Sequence, residues 1–340
     1  MKRQAVLVTG GAGYLGSVLS LRLAAAGHPV VVVDNHLTST PRASTTDVRH
    51  IEGDVRFVAD WGAALRGVDT VVHLAAIVGD PACDLDHDLT WETNYLATVH
   101  LVEACRAAGV RRFVLASTCS NYGLSPDDRA RIHSPMQPRS LYAQTKIFAE
   151  HHVLSARCAA FSTSILRFAT LYGISPRMRF DLAVNTMTAM AVQQHKVVVH
   201  GGSQWRPLLH VEDAAQALLL AVGAPAAGGT GDTYNGIYNC GSDGENYQLR
   251  QVGQIIVDAV PSARLVVEHT SLDPRDYQVD FTSARLGLGL RPRRTVHDGV
   301  GELAVAVANG RFGLATDPRY SNVETVAAAV RDRPLAAVGA

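Results

Sequence analysis

The sequence predicts an α/β fold in which a doubly wound parallel sheet is joined to a second, smaller α/β region. Three observations support this. Short apolar runs alternate with helix-length segments through the first half of the chain. The runs are nearly unbroken, as in strands that are buried on both faces. A glycine-rich turn separates the first run from the first helix. Such alternation is typical of parallel strands connected by helices that cover both faces of the sheet.

Six apolar runs are interpreted as strands and four intervening segments as helices. The strands are expected at residues 5–9, 30–33, 48–53, 70–74, 113–116 and 162–167, and the helices at residues 14–26, 61–65, 91–108 and 142–156. In the third of these helices, Leu96, Val99 and Leu101 belong to a broad apolar face. We therefore expect a first domain at residues 1–175.

The alternation loosens after Gly173. Helices are expected at residues 179–194, 211–222 and 248–260, strands at 196–200, 238–240 and 264–268, and a glycine-rich loop at 223–236. We expect the region of residues 176–315 to pack on the first domain and to close a cleft that binds the substrate. The tail, residues 316–340, is rich in alanine and is predicted to be loosely held.

Composition excludes several classes of function. Of the 340 residues, 31 are basic and 31 acidic, so the chain has no overall charge that would attract nucleic acid or an anionic membrane. The five cysteines have no CxxC spacing, which favours reduced thiols, and no metal site is expected. No apolar stretch approaches the roughly 20 residues of a membrane span. We expect a cytoplasmic protein.

The turn after the first strand has the spacing of a dinucleotide-binding loop. Glycine at Gly10 permits a tight turn, Gly13 allows a pyrophosphate to approach the backbone, and Gly16 allows close packing of helix and strand. Tyr14 and Leu15 open the helix, whose free N–H groups and dipole favour phosphate. This predicts a Rossmann-type cofactor site.

An acidic residue follows the second strand, as such a site requires. The Asp34 carboxylate can accept hydrogen bonds from the adenosine ribose and would repel a 2′-phosphate, which favours NAD over NADP. A simple turn at Asp34 and Asn35 is the alternative. Asp54 could bond the adenine amine or, again, only form a turn. The remaining predicted cofactor contacts are Val55, Leu74, Ala75, Ala76, Asn94 and Ser117.

Hydroxyl groups follow the fifth strand, and a tyrosine and a lysine begin the helix beyond it. Tyr142 and Lys146 are four residues apart, on one face of that helix. Lowering a tyrosine pKa from about 10 to 7 requires about 4 kcal/mol. One ammonium at about 5 Å supplies about 3 kcal/mol at an effective dielectric constant near 20. The positive nicotinamide ring of a bound cofactor would add to this, so the pair can form a general base near the hydroxyl groups that follow the fifth strand.

These motifs occur in the order found in a known family. TGGAGYLG, Asp34, GDV, HLAA, STCSNYG and YAQTK resemble the extended short-chain dehydrogenase/reductase family, in its NAD-dependent epimerase/dehydratase group, from Val6 to about Val300. The resemblance implies that Thr118 bonds the reacting sugar oxygen, that Tyr142 is the base, and that Lys146 binds the nicotinamide ribose. It also implies a homodimer, formed by the helices at residues 91–108 and 142–156.

The resemblance extends to a nucleotide-sugar substrate. Arg206 and Arg275 lie in blocks that resemble the family's diphosphate contacts, and two guanidiniums suit a diphosphate. The alternative is two exposed arginines. The blocks AAIVGDPAC, ISPRMRFDLAVN and DPRDYQVDF resemble a branch that acts at carbon 4 of sugar nucleotides and includes heptose enzymes. By that likeness Arg177, Arg179 and Asn185 are substrate-side candidates, although the two arginines could also be a solvated helix start.

One departure from the family bears on the reaction. Cys119 and Ser120, which with Thr118 are predicted to contact the substrate, stand where 4,6-dehydratases have an Asp-Glu pair. Neither is a carboxylic acid, so dehydration is disfavoured. The leading hypothesis is a redox-neutral nucleotide-sugar 4-epimerase. A net 4-dehydrogenase or 4-ketoreductase would use the same residues, and a non-catalytic NAD sensor would need only the glycine loop.

Overall fold

The computed structural model describes residues 4–40, 44–224, 234–268 and 273–332. Within these ranges the strands are β1 (Val6–Thr9), β2 (Val30–Asp34), β3 (Val48–Glu52), β4 (Thr70–His73), β5 (Arg112–Thr118), β6 (Leu124–Ala130), β7 (Ser162–Phe168), β8 (Thr170–Tyr172), β9 (Lys196–His200), β10 (Trp205–His210), β11 (Ile237–Cys240), β12 (Asn246–Gln248), β13 (Arg264–Glu268) and β14 (Asp276–Val279). The α-helices are α1 (Tyr14–Ala25), α2 (Val58–Trp61), α3 (Asp80–Cys83), α4 (His87–Trp91), α5 (Ala97–Ala107), α6 (Leu141–Ser155), α7 (Ala183–Gln194), α8 (Val211–Gly223), α9 (Leu249–Ala259), α10 (Val296–Ala308) and α11 (Asn322–Arg331).

Seven parallel strands form the central sheet, in the order β3-β2-β1-β4-β5-β7-β11. This confirms the predicted α/β class. One strand was assigned to the wrong layer: we expected the strand near residues 238–240 to lie in the second region, but β11 pairs with β7 at the edge of the central sheet. A short apolar run identifies a strand but does not say which sheet it joins.

The two faces of the sheet pack against different helices. Val6 and Val8 of β1 belong to one apolar cluster with residues of α1 and α8. Leu7 lies between them in the chain and belongs to a second cluster, with residues of α5 and α6. Alternate residues of a strand point to opposite faces, so both faces are covered. The central β-strands are consequently apolar throughout.

The second region is built from smaller sheets, two of which also include a strand, β6 or β8, from the first 175 residues. These are β12-β10-β8, β13-β9 and β14-β6. Sequence reasoning missed β6, β8, β10, β12 and β14 and helices α10 and α11. It also placed the start of α7 too early: the helix begins at Ala183, and its N-cap residue Leu182 has extended backbone. Before it, the Phe180 N–H donates to the Tyr320 carbonyl, which holds this stretch outside the helix.

The tail is docked rather than loosely held, so that expectation was wrong for residues 318–332. A 3-10 turn, Pro318–Tyr320, leads into α11. Val326 of α11 is buried in a small cluster with Ile77, Ala82 and Cys83, next to α3. Phe180 meets Tyr320 edge-on. Residues 333–340, and 225–233 of the predicted loop, lie outside the described residues.

Across the described ranges, no helix combines the length and the apolar character needed to span a bilayer. The same residues contain no group of three or more His, Cys, Asp or Glu side chains that could hold a metal ion.

Candidate cofactor and substrate site

A cavity of about 500 Å³ lies at the carboxyl ends of the central strands, and residues of the second region form its other wall. This is where open α/β sheets bind their ligands. It gathers most of the site residues predicted from the sequence. Those lining it are Gly10, Gly13, Tyr14, Leu15, Gly16, Asp34, Asn35, Val55, Leu74, Ala75, Ala76, Ser117, Thr118, Ser120, Tyr142, Lys146, Arg177, Arg179, Arg206 and Arg275.

The glycine turn fits a dinucleotide. Gly10 has φ +69°, and a Cβ there would lie 2.7 Å from the Ala75 nitrogen. A Cβ at Gly16 would lie 2.1 Å from the Gly10 carbonyl oxygen. Neither position accepts a side chain. Helix α1 begins after Gly13 without a side-chain cap, so its first N–H groups remain available to phosphate oxygens.

The two predicted acidic contacts behave differently. Asp34 lines the cavity and accepts hydrogen bonds from the Ala12 N–H at 3.0 Å and the His36 N–H at 2.9 Å. The Ser39 hydroxyl also donates to Asp34 at 3.2 Å, so about one of the roughly four acceptor sites of the carboxylate remains for a ribose hydroxyl. Asp54 is not among the lining residues. It pairs with Arg56 at 2.7 Å, which lowers its pKa together with the bond from Asn35, although its partial burial acts the other way. The predicted adenine contact at Asp54 is therefore not part of this cavity.

The three predicted catalytic residues line the same cavity. Strand β5 ends at Thr118, whose hydroxyl accepts from the Ser120 N–H at 3.0 Å. Helix α6 is capped by Ser140 and places Tyr142 and Lys146 on its cavity face. The Lys146 ammonium donates to the Ala116 carbonyl at 3.0 Å. The end of β5 and the start of α6 therefore border the same cavity.

Burial shifts the pKa values of Tyr142 and Lys146 against the formation of a phenolate and an ammonium. It lowers the pKa of Lys146 to about 8 and raises the pKa of Tyr142, which Cys83 and Asp80 raise further. The attraction between ammonium and phenolate favours the charged pair, as the sequence predicted. Removal of both charges from water disfavours it, and the sequence did not show how deeply the two groups are buried. The positive charge of oxidised NAD, when bound, acts in the direction that favours the phenolate.

Sequence reasoning missed a buried ion pair that lies against the end of β5. Glu150, one helical turn after Lys146, accepts hydrogen bonds from Arg167 at 2.6 Å, Ser117 at 2.5 Å and Asn121 at 2.9 Å. Arg167 also donates to Tyr122 at 3.0 Å. The pair therefore holds both ends of the turn that presents Thr118. The only signal available was a glutamate four residues after the lysine.

The two arginines predicted for a diphosphate are brought together, but each is already paired. Arg206 contacts Asp273 at 2.7 Å, and Arg275 contacts Asp273 at 2.7 Å and Asp80 at 3.1 Å. Arg206 is buried and Arg275 is half-buried, which excludes the alternative of two exposed arginines. The sequence analysis did not identify Asp80 or Asp273, whose carboxylates neutralise the two guanidiniums.

Three further predicted contacts lie outside the cavity wall. Cys119 is fully buried, and its thiol donates to the Arg167 carbonyl. Asn94 bonds the backbone of Ile77 and so supports the loop after β4. Asn185 accepts from the Gly173 N–H at 2.9 Å and donates to Tyr14 and to the Arg179 carbonyl. These side chains position the wall and do not form it. Arg177 and Arg179 do line the cavity and are buried, so they are not a solvated helix start.

Comparisons with known proteins identify the family of the chain. The model of the NAD-dependent epimerase/dehydratase family matches residues 6–241. A UDP-glucose 4-epimerase of Corynebacterium glutamicum is 30% identical over 308 residues, covering 85% of this chain and 91% of the relative. UDP-glucuronic acid decarboxylase 1 of Arabidopsis thaliana is 28% identical, covering 88% and 68%.

Solved structures are similar as well. MoeE5 in complex with UDP-glucose and NAD has a TM-score of 0.77 at 28% identity, over 91% of this chain and all of that one. A UDP-glucose 4-epimerase of Thermus thermophilus in complex with NAD has a TM-score of 0.77 at 27% identity, with the same coverage. Together with the glycine turn, Asp34 and the Thr118, Tyr142 and Lys146 set, these matches show that the chain belongs to the NAD-dependent epimerase/dehydratase family.

Proposed function

We propose that the chain is a nucleotide-sugar 4-epimerase that oxidises the carbon-4 hydroxyl of its substrate to a ketone and reduces it again from the other face. One observation carries the proposal: Thr118, Tyr142 and Lys146 line the same cavity as the cofactor turn and the arginine pair Arg206 and Arg275. The 30% identity to a UDP-glucose 4-epimerase supports it.

The chain's own residues would handle the proton. The Tyr142 phenolate accepts the proton of the carbon-4 hydroxyl, and Thr118 donates a hydrogen bond to the same oxygen. The Lys146 ammonium stabilises the phenolate by its charge. The glycine turn and Asp34 would hold NAD, which would supply the hydride acceptor and donor for carbon 4. The return step runs in reverse: Tyr142 gives its proton back to the oxygen, so the substrate leaves at its original oxidation level.

Rival reactions use the same three residues. A net 4-dehydrogenase or 4-ketoreductase would differ only in exchanging its cofactor, and a relative at 28% identity is a decarboxylase. A dehydratase needs a further acid and base, which Cys119 and Ser120 cannot supply. The cavity does contain a carboxylate, Asp80, whose charge raises the pKa of Tyr142. Cys119 and Ser120 therefore disfavour dehydration, and the mass of the product distinguishes the two reactions.

The test is product analysis in deuterated water without added cofactor. Purified protein is incubated separately with UDP-glucose, UDP-galactose and UDP-glucuronic acid, with Tyr142→Phe as the matched control. Epimerisation gives an isomer of unchanged mass with no solvent deuterium on carbon, because the hydride never leaves the site. A product lighter by one water identifies a dehydratase, and one lighter by carbon dioxide a decarboxylase. A keto sugar formed in proportion to NADH identifies the dehydrogenase. Any of these three results contradicts the proposal.

The identity of the sugar, the assembly state and the location are further predictions. No relative named above is described as a heptose enzyme, so nucleotide-activated heptoses form a separate arm of the same assay. A homodimer is supported by a partly exposed aromatic cluster. Trp91 at the end of α4, Tyr95 between α4 and α5, and Phe148 of α6 meet there at 5.3–5.9 Å between ring centroids. Phe148 is 49% exposed. Light scattering at micromolar concentration should give twice the chain mass. A cytoplasmic location also remains a prediction.

A further inference from the structure

Arg177 has unused hydrogen-bonding capacity in the cavity wall. The side chain is only 7% exposed, and its Nε donates to the Thr38 carbonyl. The two terminal nitrogens, Nη1 and Nη2, are buried and have no hydrogen-bond partner among the described residues. A buried guanidinium with two unsatisfied nitrogens is costly unless a ligand bonds it.

The surroundings of Arg177 favour an anion. Burial and the neighbouring charge of Arg179 lower the pKa of Arg177 to about 10, while Asp181 and Asp34 act the other way. The group is therefore still charged at neutral pH. Arg179 is already paired with Asp181 at 2.9 Å. A phosphate oxygen would satisfy both free nitrogens, because the planar fork of an arginine matches two oxygens of such a group.

The contacts of Arg177 place it at the cofactor end of the cavity. Thr38 belongs to the loop that follows β2 and Asp34, on the side of the glycine turn. The segment that carries Arg177 is fastened to the start of α1, since Ser175 donates to the Tyr14 carbonyl at 2.6 Å. Arg206 and Arg275 also line the cavity, but their charges are met by the carboxylates of Asp273 and Asp80.

The docked tail fastens the same segment from the other side. The Asn322 backbone N–H donates to Asp181 at 2.8 Å, and the Asn322 side-chain nitrogen reaches the Val78 carbonyl at 3.4 Å. Val78 lies in the loop after β4 and lines the cavity. The link thus runs from Thr38, through the Arg177 to Asp181 segment and Asn322, to Val78. All of these residues line the cavity, so the link connects the loop after β2 with the loop after β4 along the cavity wall.

We propose that Arg177 binds the pyrophosphate of NAD, and that Asn322 is a positioning residue that fastens the Arg177 segment across the bound cofactor. The assignment moves Arg177 from the substrate side, where the sequence resemblance put it, to the cofactor side. It rests on NAD dependence and holds whether or not the reaction is a 4-epimerisation.

Binding measurements test the Arg177 assignment without relying on turnover. Affinities for NAD, ADP-ribose, adenosine and UDP are measured by calorimetry for the wild type, Arg177→Gln and Arg177→Lys, with exposed Arg264→Gln as control. Arg177→Gln should weaken NAD and ADP-ribose about 10- to 100-fold, as expected for lost charge-assisted hydrogen bonds, and leave adenosine unchanged. Arg177→Lys should recover part of the loss, because it keeps the charge but not the fork.

Two outcomes would overturn the assignment. A loss of UDP affinity with unchanged NAD affinity would return Arg177 to the substrate side. Equal NAD affinity in all four proteins would remove it from ligand binding altogether. If Arg177→Gln lowers the melting temperature strongly, Arg177→Lys alone decides, through the difference between its ADP-ribose and adenosine affinities.

Cofactor exchange tests the role of Asn322. Purified protein is mixed with excess isotope-labelled NAD, and the exchange of bound cofactor is followed by mass spectrometry after denaturation. Asn322→Ala removes the link to Val78 but keeps the backbone bond to Asp181, so exchange should become several-fold faster. The control Asn309→Ala lies at the end of α10, away from the cavity. Equal exchange rates for wild type and Asn322→Ala would refute the fastening role.

Discussion

Replacing Glu150 with glutamine should destabilise the protein, because it breaks the buried ion pair with Arg167 that lies against the end of β5. Glu150 is 1% exposed and Arg167 3% exposed. Glutamine keeps one oxygen for the hydroxyl of Ser117 and the amide of Asn121, so the loss falls mainly on Arg167. Removing one partner of a buried ion pair costs about 3–5 kcal/mol, because the other charge stays buried without compensation. The two hydrogen bonds that Arg167 donates to Oε2 of Glu150, at about 1.5–3 kcal/mol each, give a similar range.

Urea unfolding followed by circular dichroism measures the change in the free energy of unfolding. Exposed Glu103→Gln on α5 is the control and should stay within about 0.5 kcal/mol of wild type. The single variants Glu150→Met and Arg167→Met and the double variant that combines them form a double-mutant cycle with the wild type. The double variant should cost less than the two single changes together, since it leaves no buried charge unpaired. A loss below about 1 kcal/mol for Glu150→Gln, or strictly additive effects, would refute this account.

Three further predictions concern the reaction and the cofactor. Tyr142→Phe should lower kcat by about 10²–10⁴-fold with little change in nucleotide-sugar binding; a variant that keeps more than about a tenth of the rate would contradict the role as base. The pKa of Lys146 is lowered by burial to about 8 and raised again in part by Glu150. Activity should therefore fall above about pH 8, as the ammonium loses its proton and no longer stabilises the Tyr142 phenolate. Glu150→Gln should move this alkaline limb to lower pH, because the charge of Glu150 raises the pKa of Lys146. An unchanged limb would show that Glu150 does not influence the pKa of Lys146. Calorimetric titration should show tighter binding of NAD than of NADP, because the Asp34 carboxylate repels a 2′-phosphate. Asp34→Ser should reduce the difference between the two affinities.

Local pattern located the strands and the cofactor turn with good precision. The sequence placed β1 to β5 and β7 within a few residues, because each strand is a short apolar run bounded by turn residues. The glycine turn and Asp34 were likewise readable, since the turn requires glycine at Gly10 and Gly16 and leaves no alternative residue. The second region was less readable. Its short strands β8, β12 and β14 have three or four residues each, too few for a periodic pattern.

The sequence by itself determined the fold class, the cofactor turn and the Thr118, Tyr142 and Lys146 set, because these depend on residues that are close together in the chain or on a fixed order of motifs. Only the tertiary structure decided which charges meet. Arg275 pairs with Asp80, almost two hundred residues away, and Asn322 reaches Val78 from the tail. Burial also depends on the fold: it shifts the pKa values of Tyr142 and Lys146, and it leaves the two terminal nitrogens of Arg177 without a hydrogen-bond partner among the described residues. Desolvation and long-range pairing depend on packing between distant segments, and a linear pattern of residues does not contain that information.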